Sequence, residues 1–150
     1  MKALVTSVAL YGCESWTLSK NLEKKIAAFE MRCFRRLLGI HWRDRRTNGS
    51  VLQEIKGKIG DFEPLLDTVK RRKLQWFGHV TRRPGTLAHT VMHGGVDGRR
   101  GQGRPRRNWV DDVKIWVEEP VEVCIRMAEN RETWRRTSQC PNGRNATGMT

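Results

Sequence analysis

From Leu22 onward the apolar residues fall at helical intervals. Leu22, Ile26, Phe29, Cys33 and Leu37 are separated by four, three, four and four positions. That spacing gathers side chains on one face of an α-helix and scatters them over both faces of a strand. Ser19 is placed to cap this helix, Glu23 falls in its first turns and Gly39 is placed to stop it. Arg32, Arg35 and Arg36 lie off the stripe and are expected to face outward. An all-α chain is the expectation from this point on.

The remaining segments read in the same way. Lys2 to Leu10 reads as a buried helix ended by Gly12, although its β-branched residues leave a strand open. Thr47 can cap a short helix carrying Val51, Leu52 and Ile55, closed by Gly57. Pro64 suits the first turn of a longer helix reaching Val80. That helix carries Leu65, Leu66, Val69, Leu74, Trp76, Phe77 and Val80, with Lys70, Arg71, Arg72 and Lys73 as a basic cluster on its other side. From Arg83 to Arg107 the period is lost among Pro84, Gly85, Gly94, Gly95, Gly98, Gly101, Gly103 and Pro105, which marks a linker or arm. Asn108 caps a helix with Trp109, Val113 and Trp116, and Asp111 and Asp112 fall in its first turn. Pro120 opens a last helix with Cys124, Met127, Ala128, Arg131 and Trp134, and the chain after Arg136 is polar and expected to fray. The expected organisation is a helical region over 1–82, a basic flexible linker over 83–107, a helical segment over 108–136 and a frayed tail over 137–150.

Charge points to the partner. The 150 residues hold 29 Lys and Arg against 16 Asp and Glu, a formal net charge of +13. The middle of the chain carries that excess: Arg32 to Arg107 holds 19 basic and six acidic residues. Arg outnumbers Lys 20 to nine, and its planar fork of donors suits phosphate. A polyanion, and nucleic acid first, is the expected ligand. No run of about 18 apolar residues exists, so no membrane span is expected. The start of the chain does not read as a signal peptide.

Local motifs add detail. Gly101-Gln102-Gly103-Arg104-Pro105-Arg106-Arg107 resembles an AT-hook, an extended Gly-Arg-Pro core that lies in the minor groove. Gln102 stands where that motif has its first Arg, which weakens groove reading but not phosphate attraction. Val110-Asp111-Asp112 superficially resembles a polymerase two-aspartate turn, but a helical pattern follows it and no strands flank it, so both acids read as helix N-terminal residues. His89 and His93 are spaced i, i+4, yet no paired Cys or Glu-bearing motif accompanies them, and no metal site is expected. Trp76 and Phe77 among Arg71, Arg72, Arg82 and Arg83 could stack bases, but their spacing favours a core. Cys13, Cys33, Cys124 and Cys140 are not closely paired and read as reduced thiols.

Several blocks stand in order along the chain, the first being Leu10-Tyr11-Gly12-Cys13-Glu14-Ser15-Trp16-Thr17-Leu18. Phe29-Glu30-Met31-Arg32-Cys33, Arg35 to Ile40, His41-Trp42-Arg43-Asp44 and Thr47-Asn48 follow. Then come Leu74-Gln75-Trp76-Phe77-Gly78-His79-Val80, Gly101 to Arg107, Trp109-Val110-Asp111-Asp112, and Ala128 with Arg131 and Trp134-Arg135. Taken in order, these blocks resemble the region after the polymerase palm of non-LTR retrotransposon reverse transcriptases, and the resemblance covers Lys2 to Arg136. It implies a helical thumb that grips a template–primer duplex, and a C-terminal extension. It also implies that the palm with its catalytic aspartates, and the endonuclease, lie elsewhere in the parent polyprotein. No catalytic residue is carried over.

The expected fold is therefore an all-α, thumb-like helical bundle with a basic Gly/Pro/Arg-rich linker and two short C-terminal helices. The expected function is that of a nucleic-acid-binding C-terminal fragment of an RNA-directed DNA polymerase, inactive alone. It would act on RNA and DNA as template–primer, in the nucleus or a cytoplasmic ribonucleoprotein. It needs no membrane, no small-molecule substrate and no cofactor of its own, the Mg²⁺ belonging to the parent polymerase. The residues expected to touch nucleic acid are Arg32, Arg35, Arg36, Lys70, Arg71, Arg72, Lys73, Arg82, Arg83, Arg99, Arg100, Arg104, Arg106 and Arg107. The alternatives are a standalone basic helical DNA-binding or chromatin protein using the AT-hook-like arm, and a translated remnant without function.

Overall fold

The computed structural model describes residues 5–93 and 107–139, and these are helical with no strand among them. The order is α1 (Ser7–Ala9), α2 (Lys20–Leu37), α3 (Asn48–Ile59), α4 (Leu65–Thr81), α5 (Leu87–Met92), α6 (Trp109–Val117), α7 (Val121–Glu129) and α8 (Arg131–Gln139). The all-α expectation holds. The described residues fall into two compact units. The first contains 5–11 and 18–69; the second contains 12–17, 70–93 and 107–139. The division falls within α4, between Val69 and Lys70.

In the first unit the caps sit where the sequence puts them. The Ser19 hydroxyl accepts from the Leu22 amide at 3.3 Å, and Thr47 accepts from Ser50 at 3.3 Å. Gly39 at φ 66° closes α2: the amides of Gly39 and Ile40 return to the carbonyls of Arg36 and Arg35, a double bond pattern that needs a left-handed residue. The core is Met31 and Phe34 of α2 against Val51 and Ile55 of α3, with Leu38, Ile40, Leu52 and Phe62 packed around it. Phe34 and Phe62 meet edge to face at 5.1 Å.

Three expectations are corrected here. The stripe Leu22–Ile26–Phe29–Cys33–Leu37 is not the core face. Leu22, Phe29 and Leu37 are exposed, because α3 covers the neighbouring row Met31–Phe34–Leu38 instead. Phe29, Cys33 and Leu37 line an open groove of about 490 Å³. The segment from Lys2 is not a buried helix over its described part: Val8 is exposed and only Leu10 is buried. Gly57 does not close α3, which continues to Ile59 and stops at Gly60, where φ is 74°.

The second unit is built round aromatic rings. Phe77 of α4 lies 5.3 Å from Trp134 of α8 and 6.4 Å from Trp109 of α6. Leu74, Val80, Val113, Trp116, Cys124 and Ala128 complete the buried set with Cys13. The Trp134 indole N–H donates to the Leu74 carbonyl at 2.7 Å, and the ring lies against Gly78, where any Cβ would overlap it. The Trp109 indole N–H donates to the Glu14 carbonyl at 2.7 Å, which fastens the segment 12–17. Asn108 and Asp111 form the reciprocal cap of α6.

Two further boundaries differ from the sequence reading. The stretch after Arg83 holds the helix α5, started by Thr86, whose hydroxyl accepts from the His89 amide. The helix opened by Pro120 does not run through to Trp134. It ends at Asn130, whose side-chain oxygen accepts the Glu132 and Thr133 amides, both at 3.1 Å, and so caps α8 as a separate helix.

Candidate nucleic-acid interface

The first unit offers cations on α2 and on the loop that follows it. Arg32 and Arg36, one helical turn apart, are exposed as expected. Arg35 is not outward in the same sense. It is half-buried, and its guanidinium donates to the Asn48 side chain at 2.7 Å and to the Arg46 carbonyl at 3.3 Å. Arg46 in turn bonds Glu54 at 2.5 Å and the Ser50 carbonyl at 3.2 Å. Arg46 and Lys58 hold the Glu54 carboxyl below its usual range. These two Arg tie the α2–α3 loop to α3, while Arg43 and Arg45 of the same loop remain exposed.

The second unit corrects the basic cluster of α4. Lys73 is not on a surface: its side chain is fully buried, it pairs with Asp112 of α6, and it donates to the Trp16 carbonyl at 2.7 Å. Its ammonium also faces the Trp109 ring at 4.4 Å and the Trp116 ring at 5.5 Å. Burial pushes its pKa down, against the opposing pull of Asp112. Arg107 closes the group at 2.7 Å from the other Asp112 oxygen. Lys70 is buried as well, 5.6 Å above the Trp116 ring. Arg82 donates to the Ala128 carbonyl at 2.6 Å. Arg71 is half-buried, whereas Arg72 and Arg83 are exposed. Arg99, Arg100, Arg104 and Arg106, with the AT-hook-like core, lie outside the described residues.

Both members of the Asp-Asp pair have structural partners. Asp111 caps α6 and pairs with Lys114 at 2.6 Å, contacts that lower its pKa. Asp112 is buried in the ion triad. Two carboxylates held in this way at a helix start do not form a metal-binding turn. Among the described residues no three His, Cys, Asp or Glu side chains are grouped to hold a metal. His89 and His93 do approach each other, their rings 4.3 Å apart, and burial followed by the nearness of His89 lowers the His93 pKa. Cys13, Cys33 and Cys124 are free thiols, and burial pushes Cys124 up to about 11. No helix among the described residues is long and apolar enough to cross a membrane.

Sequence reasoning missed the buried triad, although the signal was there. Lys73 stands at helical spacing between Val69 and Phe77, and Asp112 between Trp109 and Trp116. Opposite charges inside two apolar stripes announce a buried pair.

The chain is 31% identical over 140 residues to an uncharacterized transposon-derived protein of Caenorhabditis elegans. That likeness covers 88% of this chain. The chain spans about half, 50%, of the relative's length. No family model matches the sequence and no solved structure matches it. A transposon origin is what the likeness supports.

Proposed function

We propose that this chain is the nucleic-acid-gripping, post-palm part of a retrotransposon reverse transcriptase, supplying contacts to template and primer rather than polymerase chemistry. The observation that carries the reading is the set of exposed arginines along α2 and its following loop, Arg32, Arg36, Arg43 and Arg45, in a chain with a net charge of +13. Phosphate is what such a surface attracts, through counterion release and not through sequence. The likeness to a transposon-derived protein and the resemblance of the blocks from Leu10 to Trp134 support the element as its source. Asp111 and Asp112 are paired with Lys114, Lys73 and Arg107, so the proposal gives them a structural role.

The test is a salt titration with duplex and single-stranded oligonucleotides. Affinity falls steeply with salt, with a log–log slope of roughly −0.9 per phosphate contact on duplex. Replacing Arg32 and Arg36 with Ala weakens binding and makes the slope shallower by up to about 2. A flat salt response, or an unchanged slope in the double variant, rejects the proposal.

A further inference from the structure

Trp42 is 82% exposed, while none of the other five tryptophans exceeds 37%. A large ring left in water calls for a reason when the segment that carries it is well anchored. Here it is. Trp42 begins a single turn of 3-10 helix, Trp42–Asp44, closed by a reciprocal cap. In that turn the His41 amide donates to the Asp44 carboxylate at 2.7 Å, and the Asp44 amide returns to the His41 carbonyl at 3.1 Å. Ile40, two residues before, packs on the core, and Arg46, four residues after, is bonded to Glu54 and Ser50. Arg45 is held at φ 45°, a left-handed conformation that disfavours any side chain and persists only where the surroundings enforce it. The loop is fixed at both ends, and the indole is what it displays.

The electrostatic setting is specific. The Arg43 guanidinium lies over the Trp42 ring, 5.5 Å from its centre. Arg43 and Arg45 follow the ring by one and three positions, and both are exposed. The nearby acids are already occupied: Asp44 by the cap, Glu54 by Arg46 and Lys58. An exposed aromatic ring with cations beside it suits a flat π-system carrying negative charge close by. An unpaired nucleobase with its phosphates has that chemistry. A paired base does not, because its faces are covered by its neighbours in the stack.

Resting on the reading of a nucleic-acid-gripping chain, we infer that Trp42 is a stacking platform for an unpaired base of single-stranded nucleic acid, with Arg43 and Arg45 taking the adjoining phosphates. The site favours a single strand, or the frayed end of a duplex, over a continuous duplex. It requires no rearrangement of the loop, so little of the stacking energy is lost to ordering.

The experiment compares the whole chain with Trp42→Ala and Trp42→Phe by fluorescence anisotropy on three labelled probes. These are a single strand, the same strand with abasic sites in place of its bases, and a duplex. Trp42→Ala loses about five-fold or more in affinity for the single strand, the scale of one stacked base. It keeps its affinity for the abasic strand and the duplex, and Trp42→Phe recovers most of the loss. The thermal midpoint of each variant stays unchanged, as an exposed side chain requires. An equal loss on the abasic strand, or no loss on the normal one, overturns the platform and leaves the phosphate-gripping reading standing. Wild-type protein that binds none of the three probes overturns both. Trp42-dependent binding to phosphatidylserine vesicles, without stacking on the strand, also overturns the platform and makes the ring a membrane contact.

Discussion

The contact between Gly78 and Trp134 makes a prediction in which one substitution changes sign. Trp134 is 2% exposed, its indole N–H is bonded to the Leu74 carbonyl, and its ring lies where a Cβ at position 78 would go. Gly78→Ala alone therefore forces the ring out of place, and overpacking of this kind costs about 1–3 kcal/mol. Trp134→Ala alone removes the ring and its hydrogen bond, at about 3–5 kcal/mol. In the Trp134→Ala background the ring is gone, and the nearest other atom is Arg82 Nη1 at 3.0 Å, which is hydrogen-bonded to the Ala128 carbonyl and needs to give by only a few tenths of an ångström. Gly78→Ala should then help, because Ala is favoured over Gly inside a helix by about 1 kcal/mol. The coupling across the pair is thus at least about 2 kcal/mol, well beyond the few tenths expected of independent sites. Urea unfolding followed by circular dichroism on the four proteins measures it. Equal destabilisation by Gly78→Ala in both backgrounds would show that the ring does not occupy the Gly78 face.

Two other perturbations test the buried charges. Asp112→Ala leaves the Lys73 ammonium buried without its carboxylate and should cost about 3–5 kcal/mol in urea unfolding, whereas Lys73→Met combined with Asp112→Leu should recover most of that loss; an Asp112→Ala cost below about 1 kcal/mol, the scale of an exposed pair, refutes the buried pair. Glu30 accepts the Leu65 amide at 2.9 Å, and burial raises its pKa, so the folded state favours the protonated acid. A raised carboxyl pKa means that stability is fullest below the ordinary carboxylate range and is lost as pH rises through the folded value. Glu30→Gln keeps the acceptor without the charge, so it should raise the melting midpoint at pH 7 and leave it unchanged at pH 4; a fall at pH 7 contradicts this.

Much of the fold was legible because caps and stops are local chemistry. Ser19 and Thr47 needed only the amides three residues on, Asn108 needed only the Asp111 carboxylate for its own amide, and Gly39 needed only a left-handed turn. What failed was the choice between neighbouring faces. Helix α2 has two adjacent apolar rows, and nothing within α2 says that α3 will cover Met31 and Phe34 rather than Phe29 and Leu37. Helix ends set by competition were also missed. Asn130 looks like an ordinary polar residue in a helical run until its side chain is seen to take two amides. Of the site, the exposed Arg32 and Arg36 followed from periodicity. The proposed platform at Trp42 did not, since exposure of a tryptophan is a tertiary fact.

The net charge of +13 is a poor count of phosphate contacts, because the fold consumes part of it. Arg35 and Arg46 brace the α2–α3 loop, Lys73 and Arg107 neutralise Asp112, and Arg82 holds the end of α7 at Ala128. A guanidinium bonded to a carbonyl or a carboxylate has directed donors already in use, and releasing them leaves the old partner unsatisfied. On the proposed reading, such residues add to the long-range field that would draw a polyanion in, but not to the contacts that would hold it. The two roles separate in a salt titration. On the proposed reading, exposed Arg32 and Arg36 should govern the slope, whereas a change at Lys73 should alter stability first and binding only through it. For the proposed nucleic-acid partner, the hydrogen-bond pattern of the structure narrows which of the basic residues are free to make contact.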